Sequence, residues 1–155
     1  MMFPNVFADR LKQTMGLDVA AIGRSTIEHA VRRRMAARSL EDVGAYERCL
    51  HSSERELQAL IEAAVVPETW FFRDAEAFAE MARAVEVFSL RVDPGVTIRL
   101  LSLPCSTGEE PYSMAMTLLQ SGFSVSRFRI DAIDISEQVL VRAEAAVYGK
   151  NSFRG

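Results

Sequence analysis

The residues best able to do chemistry lie in one stretch, Val96 to Ser136, which reads VTIRLLSLPCSTGEEPYSMAMTLLQSGFSVSRFRIDAIDIS. A small-residue loop, Pro104-Cys105-Ser106-Thr107-Gly108-Glu109-Glu110, follows a β-rich apolar run, Val96 to Leu103. A second apolar run, Phe128 to Ile135, contains Asp134 near its end. That carboxylate lies roughly 20 to 25 residues past the loop, where a ribose-binding acid belongs in a nucleotide site. One glycine followed by two glutamates is a poor pyrophosphate cradle, since such cradles use several glycines to bring backbone N–H groups close. Two carboxylates repel phosphate and suit a ligand that carries an amine. The same pair also stabilises a helix start through the macrodipole, and spacing alone does not choose between these readings.

S-adenosylmethionine has an adenosine, a sulfonium and a methionine amine, and so fits a loop of this kind. The elements that must position it are strand, tight loop, helix and strand, the opening of a Rossmann-like unit. Pro111 is expected to open the helix, because a first helical turn does not need its missing N–H. After Asp134, Ser136 can cap a further helix bearing Val139, Leu140 and Ala143.

The motifs STGEEPYSMAMTL, TWFFRD and DAIDIS together resemble the chemotaxis-receptor methyltransferases of the CheR type, which methylate protein glutamates using S-adenosylmethionine. The resemblance runs from about Met1 to the end. It implies an α/β protein: an all-α helical bundle that docks on the receptor (1–66), a linker and connecting helix (67–95), and the first βαβα part of a Rossmann-like methyltransferase domain (96–155). It implies that Asp134 accepts the ribose hydroxyls, that Glu109 takes the amino-acid end of the cofactor, and that Thr69 and Gly108 also contact it. Glu110 is expected to face solvent. Arg73 is placed near the transferred methyl, as a catalytic and cofactor-side residue able to hold the incoming carboxylate in a bidentate pair. Pro67 stands where the family often has asparagine, which removes one cofactor hydrogen bond.

No base is expected, because a glutamate with a reference pKa near 4.3 is already anionic at neutral pH. His29 and His51 sit in the helical part and are given no catalytic role. Asp131 reads as a solvent-facing strand residue, and Phe71 and Phe72 as packing. Arg32, Arg33, Arg34 and Arg38 crowd one helix, and the resemblance makes them candidates for docking the acidic, helical methylation region of a receptor. Arg34 and Arg38 share a side of that helix while Arg32 and Arg33 splay away, so a merely solvated face is the alternative.

The first half of the chain is patterned for short helices. Phe7, Leu11 and Met15 recur at helical spacing from Phe3, with Gly16 as a stop. Ser25-Thr26-Ile27-Glu28 and Ser53-Glu54-Arg55-Glu56 read as capping boxes, and Ser39 to Asp42 opens the helix between them. Val65-Val66-Pro67 breaks the pattern. A longer helix carries Phe78, Met81, Val85 and Phe88, and Pro94-Gly95 turns the chain into the nucleotide-binding part.

The formal charge of −3 indicates no bulk attraction to nucleic acid or an anionic membrane. No apolar run approaches the roughly 18 residues of a spanning helix, and the N-terminus does not read as a secretory signal. Cys49 and Cys105 show no metal spacing and are expected to be free thiols of a cytoplasmic protein. A methyltransferase sheet of this type has more strands than the pair readable here. The chain is therefore expected to be a piece of a longer protein or to complete its sheet by another route, and to transfer methyl groups poorly alone. The rival readings are a non-catalytic cofactor- or receptor-binding module, and a methyltransferase with another substrate.

Overall fold

The computed structural model of the chain describes residues 5–16 and 22–154. They fall into two compact units, Met1–Val66 and Pro67–Gly155.

The first unit is all helical: α1 Val6–Met15, α2 Arg24–Ala37, α3 Val43–Ser52 and α4 Glu54–Ala64. The apolar stripes anticipated from spacing form its core, in which Phe7, Leu11, Val31, Tyr46, Leu50, Leu60 and Ile61 are buried. Gly16 ends α1 in the left-handed region, with its N–H donating to the Lys12 carbonyl. The expected start at Phe3 lies outside the described residues.

The capping boxes are only partly realised. Helix α2 begins at Arg24 behind Gly23, whose φ of 85° makes the turn, so Ser25 lies inside the helix. Asp42, not Ser39, caps α3 by accepting the Ala45 N–H. Ser53 does cap α4, accepting the Glu56 N–H. Glu56 does not reach back to complete the box, because its carboxylate is drawn to Arg34 and Tyr46.

The second unit holds α5 Ala75–Ser89, β1 Ile98–Ser102, α6 Glu109–Gln120, β2 Phe128–Ala132 and α7 Glu137–Ala145. Strands β1 and β2 pair in parallel, Ile98 opposite Phe128 through Ser102 opposite Ala132. Val85 of α5, Ile98 and Leu118 of α6 form the buried centre, with Met81, Leu100, Phe123 and Phe128 against it. Phe88, expected on the packed side of α5, is half exposed. Helix α6 opens two residues earlier than Pro111 suggested, behind Gly108. Pro111 is tolerated inside the first turn because N–H groups there have no intrahelical partner.

Candidate active site

The β1–β2 ladder continues past both strands and builds the loop. The Ile133 N–H donates to the Ser102 carbonyl, and the Cys105 N–H donates to the Ile133 carbonyl. This delivers Asp134 against the loop. One carboxylate oxygen accepts the Ser106 N–H at 2.8 Å, and the other accepts the Ser136 N–H at 3.0 Å. Ser136 caps α7 through its hydroxyl, accepting the Val139 N–H, so the capping role is filled without Asp134. Each carboxylate oxygen offers two lone-pair directions, which leaves one on each for a further donor. Ser106 adopts φ 49°, a conformation that a non-glycine residue holds only when its surroundings fix it.

The adjacent glutamates part company, as neighbours on a helix must when each residue turns about 100°. Glu109 is 3% exposed, and its oxygens accept the hydroxyls of Thr107 at 2.6 Å and Ser152 at 2.8 Å. Glu110 is exposed at the tip of β1, where one oxygen accepts the Ser102 hydroxyl at 2.6 Å. Glu109 is thus turned inward with both oxygens accepting hydroxyls, and Glu110 faces solvent as expected from the sequence, the more accessible carboxylate of the two. Gly108 is closely surrounded. Its φ is +99°, and a Cβ there would lie 2.6 Å from the Tyr148 hydroxyl and 2.9 Å from the Ala143 side chain. The missing side chain makes room for Tyr148 and Ala143.

The TWFFR segment is pinned to the same region. The Phe71 N–H donates to the Ser152 carbonyl at 2.8 Å. The Phe72 N–H donates to the Ser113 hydroxyl at 3.0 Å, which in turn donates to the Glu109 carbonyl at 2.6 Å. Residues 71–72, 109–113 and 152 are therefore joined in one hydrogen-bonded ring. Arg73 is exposed, donates to the Glu68 carbonyl at 2.7 Å and lies 4.7 Å from the Trp70 ring centroid. The cation–π contact and the carbonyl fix the guanidinium while leaving N–H donors outward. Thr69 is half-buried beside it.

Burial pushes the Cys105 thiol above its ordinary value, and the Asp134 charge adds to this. Burial, then the charge of Glu109, pushes the Tyr148 phenol up to about 12. Asp131 is held low by hydrogen bonds from Arg99 and then Arg129, so it is an ion-paired residue of the strand. The second unit presents carboxylates and N–H groups here, with no Lys or Arg between Leu100 and Gln120. That set fits an amine and a ribose and disfavours phosphate, as S-adenosylmethionine requires. Among the described residues no cluster of His, Cys, Asp or Glu is arranged to hold a metal. No helix there is long and apolar enough to cross a membrane.

Arg32, Arg33 and Arg34 of α2 and Arg38 just after it do not form a common surface. Arg34 grips buried Glu56 through two N–H groups at 2.9 and 3.0 Å, and the buried Tyr46 hydroxyl donates to the same carboxylate at 3.2 Å. Hydrogen bonding to Glu56 holds the Arg34 pKa above its ordinary value, and burial together with the Glu56 charge raises Tyr46. Arg34 is therefore an internal tie of the bundle. Arg38 comes within 3.6 Å of Glu56 while staying half exposed, and Arg32 and Arg33 face solvent. Sequence reasoning missed Ser102, Ser113, Tyr148 and Ser152. Ser113, Tyr148 and Ser152 act through contacts distant in sequence and Ser102 through nearby Glu110, and only their polarity inside or beside apolar elements marked them.

Residues 67–155 match the family described as CheR methyltransferase, SAM binding domain, and residues 5–64 match its all-alpha domain. The chain is 50% identical over 149 residues to a probable biofilm formation methyltransferase, WspC, of Pseudomonas aeruginosa, covering 96% of this chain and 35% of that protein. It is 34% identical over 139 residues to the chemotaxis protein methyltransferase of Salmonella typhimurium, covering 88% of this chain and 46% of the relative. It is 36% identical over 105 residues to chemotaxis protein methyltransferase 2 of Vibrio cholerae, covering 66% and 36%. The chain thus spans about a third to a half of the length of these relatives.

Proposed function

Since the chain belongs to the CheR methyltransferase family, whose second domain binds S-adenosylmethionine, we propose that it forms part of a protein-glutamate O-methyltransferase acting on a chemoreceptor. The observation that carries the reading is the Asp134 carboxylate, held by two N–H groups against the STGEE loop with acceptor capacity to spare. Asp134 accepts the ribose hydroxyls. Glu110 meets the amine of the methionine end, and buried Glu109 fixes the helix start behind it. Thr69 and Arg73 face the reacting side, where the Arg73 guanidinium orients the acceptor carboxylate.

The cofactor supplies a methyl group already activated by its sulfonium. The chain's residues need only align the acceptor and exclude water, since a glutamate side chain needs no base at neutral pH. Arg32, Arg33 and Arg38, exposed in the first unit, are proposed to meet an acidic helical partner. The partner is proposed as the helical methylation region of a receptor, met in the cytoplasm. A second reading has the substrate in a biofilm-forming system instead, favoured by the 50% and 46% identity to two relatives named for that role.

Titrating S-adenosylhomocysteine into the chain tests the site. Glu110→Gln should weaken binding by about 1.5–3 kcal/mol, as for hydrogen bonds to a charged group, whereas an analogue lacking the amine should bind both proteins alike. Equal affinity of parent and Glu110→Gln for S-adenosylhomocysteine would remove Glu110 from the site. Transfer of labelled methyl to chemoreceptor, by the chain and by a longer protein containing it, tests the reaction itself.

A further inference from the structure

The segment after α7 makes contacts that its polar, turn-like sequence does not announce. The Tyr148 hydroxyl donates to the Thr107 carbonyl at 2.8 Å, inside the loop. The Tyr148 ring meets Phe71 edge-on at 4.8 Å, and Phe71 stacks on Phe153 at 4.8 Å. Ser152 is bound at both ends: its hydroxyl donates to Glu109, and its carbonyl accepts the Phe71 N–H. Gly108 adds an independent sign, because any side chain there would strike the Tyr148 hydroxyl. A buried carboxylate such as Glu109 is costly without donors. One of the hydroxyls that satisfy it comes from this distant segment.

We propose that Tyr148 and Ser152 are positioning residues of the cofactor site, clamping Glu109 and the STGEE loop to the segment that carries Arg73. Resting on the function proposed above, the inference adds that the cofactor-holding carboxylates and the acceptor-facing arginine are set as one piece. Ser152 is the joint, since among the described residues it alone hydrogen-bonds both the Glu109 side chain and the TWFFR backbone. Tyr148 sets the height of the loop over α7 by holding the Thr107 carbonyl.

The test uses Ser152→Ala, Ser152→Thr and Tyr148→Phe in the chain. For each, S-adenosylhomocysteine affinity is measured by calorimetry, amide exchange at Phe71 and Phe72 by mass spectrometry or NMR, and stability by urea unfolding. Loss of the bond to the Glu109 carboxylate in Ser152→Ala, or to the Thr107 carbonyl in Tyr148→Phe, should weaken binding about three- to tenfold. Exchange at the Phe71 amide should speed up in Ser152→Ala, although its own acceptor is the untouched backbone carbonyl. Ser152→Thr keeps the hydroxyl and should restore both. Parent-like affinity and exchange in Ser152→Ala and Tyr148→Phe would overturn the clamp, and so would a lowered unfolding midpoint with affinity and exchange unchanged. Failure of the parent chain to bind S-adenosylhomocysteine would count against the reading of the site, and the exchange measurements would then decide the clamp by themselves.

Discussion

Replacing Asp134 by asparagine separates ligand binding from loop building. The carboxylate now accepts the Ser106 and Ser136 N–H groups, one on each oxygen. An amide keeps one oxygen and presents an NH2 group to the other N–H, so one of these bonds is lost. A charge-assisted bond of this kind is worth about 1.5–3 kcal/mol, and partial solvent access at Asp134 places the stability loss near 1.5 kcal/mol. Binding loses more than this local repair, because the ribose hydroxyls now meet a neutral group with one acceptor oxygen. The expected weakening is a further 1.5–3 kcal/mol, or about ten- to 150-fold in Kd. S-adenosylmethionine and S-adenosylhomocysteine carry the same ribose, so both should weaken by the same factor in calorimetry. Urea unfolding followed by circular dichroism gives the stability arm. Unchanged affinity for both ligands, together with lowered stability, would refute the ribose assignment and leave Asp134 as a loop tie only.

Gly108→Ala places a methyl where Tyr148 and Ala143 already stand and asks a non-glycine residue to hold φ +99°; the strain and the displaced hydrogen bond should cost about 2 kcal/mol in urea unfolding, and a parent-like midpoint would contradict the packing role. Glu56→Ala leaves Arg34 and Tyr46 unpaired and should destabilise by about 3 kcal/mol, the lower end for a broken buried pair because Arg34 keeps 23% exposure. A double-mutant cycle of Glu56→Ala with Arg34→Ala should be clearly non-additive; additivity would deny the pairing. Stability should fall as pH rises beyond about 10: unfolded tyrosines ionise there, whereas folded Tyr148 keeps its proton to about 12 and Tyr46 is also raised. Cys105, raised by burial, acts in the same direction, and an unfolding midpoint constant between pH 8 and 11 would oppose both.

The helical stripes of the first unit were legible because burial recurs every three or four residues, as Phe7 and Leu11 or Leu57, Leu60 and Ile61 show. The βαβ opening was legible for a related reason, since apolar runs and a small-residue loop leave few alternatives. Caps were less so: Ser25 has the right residue type, but the turn at Gly23 moved the helix start. Charge was least legible. The Glu109–Glu110 pair does not announce the Thr107 and Ser152 hydroxyls that Glu109 accepts, and Arg34 among four arginines does not name Glu56, which lies two helices away. Tyr148 and Ser152 were unreadable because their partners, Thr107 and Glu109, lie far away in sequence and the segment has no period.

The spacing between the loop and Asp134 is set by strand register and not by chain length. Ile133 is fixed between Ser102 and Cys105, so Asp134 arrives at Ser106 whatever route the chain takes between α6 and β2. The connection there turns through Gly122, around which a Cβ would meet nothing. Extra residues inserted at that turn should be accommodated, because loop closure costs little per added residue. One residue inserted between Phe128 and Asp134 is a different matter. It would send alternate side chains to the opposite face of the sheet and carry the carboxylate away from the loop. Length variation among related chains should therefore collect after Gln120 and be absent from the six positions that lead into Asp134.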